Sequence, residues 1–196
     1  TPLTLIKSPL ENVLSSKSVS DEIRDDLEIM DLNTNRLLDL VNQLLDFRKT
    51  ETQGFQLNFV ECDVSDILQK TCKRFRLSAR QKELEFVIDS PETVYASVDK
   101  EGLTKIISNL LSNAIKFSPC GGTIYIRMMP EGEKIRFSIE NEGPQIREDS
   151  MKHIFDKFYQ CDSSHKQEGN GLGLALVKQI LNLCKGTISV ENIPGS

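Results

Sequence analysis

The stretch DKEGLTKIISNLLSNAIKF, residues 99–117, decides how the chain is read. At about 100° per residue, Leu103, Ile106, Ile107, Leu110, Leu111 and Ala114 share one face of a helix. Asp99 starts that helix and Ser118-Pro119 stops it. Asn109, Asn113 and Lys116 form a narrow polar stripe along the border of the apolar face. A carboxamide oxygen is a hard ligand, and Mg²⁺ is usually held by few protein atoms plus phosphate and water. An ammonium adds a point charge for phosphate. The stripe therefore suits a hydrated divalent cation and its phosphates, although a solvated helix edge is the simpler explanation of these three residues alone.

On either side the hydrophobic period alternates between helix and strand. Phe55, Leu57 and Phe59 repeat every second residue, and Asp63 is a good N-cap for a helix carrying Ile67, Leu68, Cys72 and Phe75. Short strands are expected at 84–88 and 94–98. Ile124, Ile126 and Met128 pair with Ile135, Phe137 and Ile139 in a hairpin across a turn at 130–133. A helix over 174–184 and a last strand over 187–190 follow. Helices on one face of a mixed, mostly antiparallel sheet make an α/β sandwich. Between Ile146 and Gly169 lies a long polar stretch with one short helical piece, and such loops in compact domains are usually functional.

The first fifty residues have another character. Leu3, Ile6, Leu10 and Val13 are spaced by three and four, with Pro2 and Pro9 placed to kink or interrupt the helix. After a serine-rich turn (Ser15, Ser16, Ser18, Ser20), Ile23, Leu27, Met30, Thr34, Leu37, Val41 and Leu44 follow a 4-3-4-3 rhythm, a heptad seam with one polar member. Leu38, Leu40 and Leu45 widen the stripe beyond what one hairpin can cover. A second copy would cover it, giving a dimeric four-helix bundle; a hairpin packed on its own downstream domain is the alternative. Residues 46–54 read as a charged linker ending in glycine. The helical pattern opens abruptly, so part of this helix is expected upstream.

Composition narrows the classes. The 196 residues carry 29 acidic and 24 basic side chains, a formal charge of −5, which argues against nucleic acid as the main partner. No apolar run approaches a membrane span. Cys62, Cys72, Cys120, Cys161 and Cys184 are scattered and odd in number, as in reduced thiols, and with His153 and His165 they suggest no metal site. No Ser-His-Asp arrangement is legible.

Two further motifs stand near the stripe. Residues 140–146, Glu-Asn-Glu-Gly-Pro-Gln-Ile, follow a strand and could bind a flat heterocycle edge-on; a plain turn explains them as well. Gly169, Gly171 and Gly173, with Leu172 between, lead into a helix, where glycines and a helix N-terminus admit phosphate. A glycine-rich hinge is the alternative. The spacing fits neither the dinucleotide fingerprint nor the Walker loop.

The order of these elements is more specific than any one of them. Asn-x3-Asn-x2-Lys, then Asn-x-Gly-x2-Ile, then Ile154-Phe155-x2-Phe158-Tyr159, then GxGLGL resembles the catalytic domain of sensor histidine kinases, a Bergerat-type ATPase fold. Thr1 to Ile6 and Leu44 to Lys49 are similar to parts of that family's dimerisation helices. The resemblance implies an α+β chain: a dimerisation hairpin over 1–50, truncated at its N-terminus, and an ATP-binding catalytic domain over 54–196, lacking its C-terminal strand. It implies ATP and Mg²⁺ as ligands. Asn113 would be the principal metal ligand with Asn109 in support, and Lys116 would bind phosphate. Asn141 would face the adenine amino group, with Gly143 and Ile146 beside the base. Gly169, Gly171, Leu172 and Gly173 would hold the phosphate end of a lid anchored by Phe155 and Phe158, with Lys157 and Gln160 reaching toward phosphate.

The resemblance further implies transfer of the γ-phosphate to a histidine and relay to the receiver domain of a response regulator. The partners would be a second copy and that receiver domain, with no nucleic acid. The chain would be the cytoplasmic portion of a membrane-anchored sensor, reaching the membrane only through other segments, and the parent could be a hybrid kinase. In the gyrase and chaperone branches a glutamate near the metal asparagine activates water; here Asn109, a carboxamide, cannot act as a general base, so hydrolysis should be slow.

Three departures qualify this, one of them the missing C-terminal strand. The phosphoacceptor histidine would precede Thr1 by four positions, so the chain should not autophosphorylate alone, and Thr1 falls where the family places a phosphatase-assisting residue. Asn141 replaces the usual aspartate and Gln145 the usual second glycine. An amide can donate as well as accept, which predicts looser discrimination of adenine from guanine. The alternative reading is an ATP-binding pseudokinase that signals without phosphotransfer.

Overall fold

The computed structural model describes residues 2–15, 20–51, 57–161 and 170–193. Thr1, Ser16, Ser18, Gly54, Phe55, His165 and Gly169, all used above, lie outside the described residues. The chain divides into two compact units, Thr1–Thr52 and Gln53–Ser196.

The first unit is a hairpin of α1 (Pro2–Leu14) and α2 (Asp21–Glu51). Leu10 and Phe47 are buried in it, and the Arg24 guanidinium donates to the Leu14 carbonyl at 2.9 Å. Pro9 lies inside α1 without ending it. Its missing N–H would have bonded the residue-5 carbonyl, and Leu5 faces solvent, where water can replace the lost donor. The expected linker at 46–54 is helical as far as Glu51, because no breaker precedes Gly54 and Phe47 holds the last turns inside. Ile23, Met30, Leu37 and Leu44 are each about half exposed, whereas Thr34, the polar member of the seam, is buried and bonds the Met30 carbonyl.

The second unit is α+β. Its elements are β1 (Phe59–Asp63), α3 (Val64–Gln81), β2 (Glu85–Asp89), β3 (Tyr95–Asp99), α4 (Lys100–Phe117), β4 (Thr123–Glu131), β5 (Lys134–Asn141), α5 (Glu148–Met151) and α6 (Gly173–Leu183). β1 and β3 form an antiparallel pair, while β2, β4 and β5 form a mixed sheet, β2 parallel to β4 and β4 antiparallel to β5. The hairpin register sets Ile126 opposite Ile139 and Met128 opposite Phe137. Gly132 takes a φ of +61° in its turn.

The core joins Val64, Leu68 and Cys72 of α3, Ile107, Leu111 and Ala114 of α4, and Ile124, Ile126 and Met128 of β4. Both large helices therefore cover one face of the sheet. Each also begins on an aspartate: Asp63 accepts from Ser65 N at 2.9 Å, and Asp99 accepts from Gly102 N. Against expectation, Leu57 is not in a strand; β1 begins at Phe59, opposite Asp99, where the partner strand turns into α4 and no further ladder is possible. Residues 187–190 also form no strand. Residues 186–193 keep a period-two alternation of exposure, but their backbone enters no ladder, and Asn192 uses its side chain on Ile146 instead. No helix among the described residues is long and apolar enough to cross a membrane.

Candidate functional site

α4 is the spine of the site because it contacts both α6 and β5. Its stripe lies at the border of the buried face: Asn109, Asn113 and Lys116 are all half-buried. From Asn109 to Phe117 the helix rises roughly 12 Å, so the stripe can serve a ligand of extended shape.

At the α6 end, the Asn109 amide donates to the Lys105 carbonyl at 2.8 Å, and its Oδ1 faces Gly173. A Cβ on Gly173 would stand 2.8 Å from that oxygen, so any larger residue at the start of α6 would make the Asn109 side chain give way. Leu172 precedes α6 without any side-chain cap on the helix, and its own N–H is taken by Asn170 Oδ1 at 3.1 Å. The first turn of α6 thus presents uncapped N–H groups beside the asparagine stripe. Leu172 itself is buried and ties this turn to the core.

At the β5 end, Lys116 sets its Nζ 4.6 Å from the centroid of the Phe117 ring, and burial lowers its pKa. The Phe117 carbonyl faces Gly143, where a Cβ would come within 2.7 Å of the oxygen. Asn141, the last residue of β5, donates its amide to the Glu142 carbonyl at 3.2 Å. Ile146 is held by Asn192 through two bonds: Ile146 N to Oδ1 at 3.0 Å and Nδ2 to the Ile146 carbonyl at 2.8 Å.

The segment between β5 and α6 closes at its base on Phe158, whose N–H donates to the Gly171 carbonyl at 3.0 Å. Phe158 is 64% exposed, so it anchors through its backbone and not its side chain. Phe155 is half-buried with the Lys178 ammonium 5.8 Å from its ring centroid. Lys157 and Gln160 are exposed on the same segment. Gly169 lies outside the described residues.

The structure thus joins Asn109 to Gly173, Phe117 to Gly143 and Phe158 to Gly171. Asn170, Asn192 and Lys82 also hold these elements, and the sequence did not single them out; their partners are carbonyls and amides, which leave no trace in side-chain pattern. Thiol chemistry finds no support at Cys72 or Cys184. Burial pushes Cys72 up to about 11, and burial, aided by Asp99, raises Cys184. No cluster of three metal-ligating His, Cys, Asp or Glu side chains occurs among the described residues.

Residues 98–196 match the family described as histidine kinase-, DNA gyrase B-, and HSP90-like ATPase. The whole chain is similar to hybrid signal transduction histidine kinase D of Dictyostelium discoideum, 34% identical over 201 residues, covering 98% of this chain and 13% of that protein. It is similar to sensor histidine kinase TmoS of Ectopseudomonas mendocina, 35% identical over 199 residues, covering 100% of this chain and 20% of that protein. The chain therefore spans a fifth or less of these relatives. In fold it is similar to full-length ShkA solved in complex with AMPPNP, with a TM-score of 0.71 at 24% identity, over 92% of this chain and 39% of that one.

Proposed function

The chain belongs to the histidine kinase-, DNA gyrase B- and HSP90-like ATPase family, and we propose that it is the dimerising, ATP-binding core of a sensor histidine kinase in a two-component system. The observation that carries this reading is the approach of Asn109 Oδ1 to Gly173, which sets a carboxamide stripe against the uncapped start of α6. A glycine cradle, helix N–H groups that the N-cap side chain does not hold and hard oxygen ligands together fit a polyphosphate with its cation.

Each residue then has a task. Asn113 and Asn109 offer carboxamide oxygens to Mg²⁺. Lys116, partly desolvated, regains favourable charge pairing when it faces phosphate. Gly171 and Gly173 let backbone N–H groups reach the phosphate end, with Leu172 fixing the turn. Gly143 and Ile146 shape the base side, and Asn141 offers Oδ1 to the adenine amino group, since its own amide is held by Glu142. Bound ATP supplies the γ-phosphoryl group for a histidine upstream of Thr1, and a response regulator aspartate receives it afterwards. Asn109 cannot deprotonate water, which keeps the phosphoryl group from hydrolysis.

The half-exposed seam of α2 is the homodimer surface, a second hairpin completing a four-helix bundle. The chain is the cytoplasmic part of a membrane-anchored sensor. Asn141 and Gln145 favour a second reading, a nucleotide-binding regulatory module without phosphotransfer. A chain extended upstream to include the candidate histidine separates the two: with labelled ATP it should gain acid-labile, base-stable phosphate and pass it to a receiver domain. Nucleotide binding without any labelling would favour the regulatory module.

A further inference from the structure

Lys82 follows α3, at the opposite end of the sequence interval from the stripe, yet its ammonium reaches the end of α4. Its Nζ donates to the carbonyls of Ile115 and Lys116, each at 2.9 Å, and to that of Ser118 at 3.4 Å. These are carbonyls that a helix leaves without backbone donors at its C-terminus. An ammonium has three donors to give them, and its charge complements the helix dipole. The backbone of Lys82 adds a fourth tie, accepting from Gly121 N at 3.0 Å.

The carbonyl that Lys82 skips is that of Phe117, the one packed against Gly143. Holding residues 115, 116 and 118 fixes the rotation of the last turn. It thereby fixes the turn that carries Lys116, whose Nζ lies over the Phe117 ring, and keeps the Phe117 carbonyl against the base-side turn. Ser118 assists with a bond from Oγ to the Ala114 carbonyl at 2.6 Å.

We propose that Lys82 is a positioning residue for nucleotide binding, acting through the C-terminal turn of α4 and not on the ligand. The proposal rests on the ATP-binding reading above. Lys82→Met keeps the aliphatic stem and removes all three donors, whereas Lys82→Arg keeps charge and donors. ATP affinity should fall by about tenfold or more in the Met variant, the scale of lost charge-assisted bonds, and recover most of the way in the Arg variant. Amide hydrogen exchange over residues 115–118 should quicken in Lys82→Met while exchange in β4 stays as in the parent.

A folded Lys82→Met variant that binds ATP within twofold of the parent overturns the proposal and leaves the nucleotide reading intact. A parent chain that binds no ATP overturns the nucleotide reading itself, whatever the exchange shows. A lowered thermal midpoint with unchanged affinity marks Lys82 as merely structural and also overturns the proposal. If Lys82→Met fails to fold, Lys82→Gln, with its shorter donor, carries the same measurements and should fall between Met and Arg.

Discussion

Phe158 donates its backbone N–H to the carbonyl of Gly171 at 3.0 Å, and both residues hold left-handed backbones, with φ of 62° and 67°. A phenylalanine rarely accepts that conformation, so the clasp is maintained against a local cost of about 1–2 kcal/mol. It holds residue 158 against residue 171, just before the chain enters α6. A Cβ on Gly171 would lie 2.6 Å from the Phe158 carbonyl carbon. Gly132 shares the positive φ but has nothing within 4 Å.

Gly171→Ala should therefore lose clearly more stability than Gly132→Ala. The hairpin turn bears only the backbone cost, about 1 kcal/mol, and the clasp bears that cost plus a backbone collision. Thermal melts of the two variants check this, and equal midpoints would mean that the clasp can shift aside. ATP affinity should fall in Gly171→Ala only.

Asn141 should keep adenine preference in spite of its amide. The sequence alone allows either end of the carboxamide to face a base. With Nδ2 held by the Glu142 carbonyl, Oδ1 is the end on offer, and it accepts as a carboxylate would. Asn141→Asp should retain preference for ATP over GTP, and Asn141→Leu should lose it, with about tenfold weaker ATP binding. A Leu variant with an unchanged ATP:GTP affinity ratio would remove Asn141 from base reading.

Much of this was legible before the structure. The border stripe of α4, its Asp99 cap and the β4–β5 pairing follow from periods of 3.6 and 2 and from capping chemistry, all of them local. Residues 46–51 are charged, as linkers are, yet they stay helical because Phe47 is buried among them. Residues 187–190 have strand alternation, but a strand needs a partner, and pairing is not local. Lys82 and Asn192 were invisible for the same reason, since their partners lie 33 to 46 residues away along the chain.

Lys116 gives the site a pH signature. Burial favours its neutral amine, so its pKa lies below the ordinary 10.5. The unfolded chain then holds this proton more tightly, and stability contributed by Lys116 rises as pH climbs through the window between the lowered value and 10.5. Phosphate affinity runs the opposite way, because it needs the ammonium. ATP affinity measured against pH should decline with a midpoint below 10.5, and Lys116→Arg should abolish that decline. A parent profile matching the Arg variant would show that Lys116 does not meet phosphate.

The α2 seam should self-associate. Ile23, Met30, Leu37 and Leu44 repeat at heptad spacing and are each about half exposed in the single chain. Sedimentation equilibrium at tens of micromolar should show a dimer, and Leu37→Glu should shift it to monomer without changing nucleotide affinity of the second unit. A parent chain that remains monomeric would contradict the bundle.

If α4, β5 and the start of α6 form one Mg²⁺-dependent ATP site, calorimetry of ATP binding should detect it. The parent chain should bind ATP in the micromolar range with Mg²⁺ and far more weakly in EDTA, and Asn113→Ala should lose the Mg²⁺-dependent part while its thermal midpoint stays near that of the parent. A folded parent that gives no binding, or an Asn113→Ala variant that binds as the parent does, would contradict it.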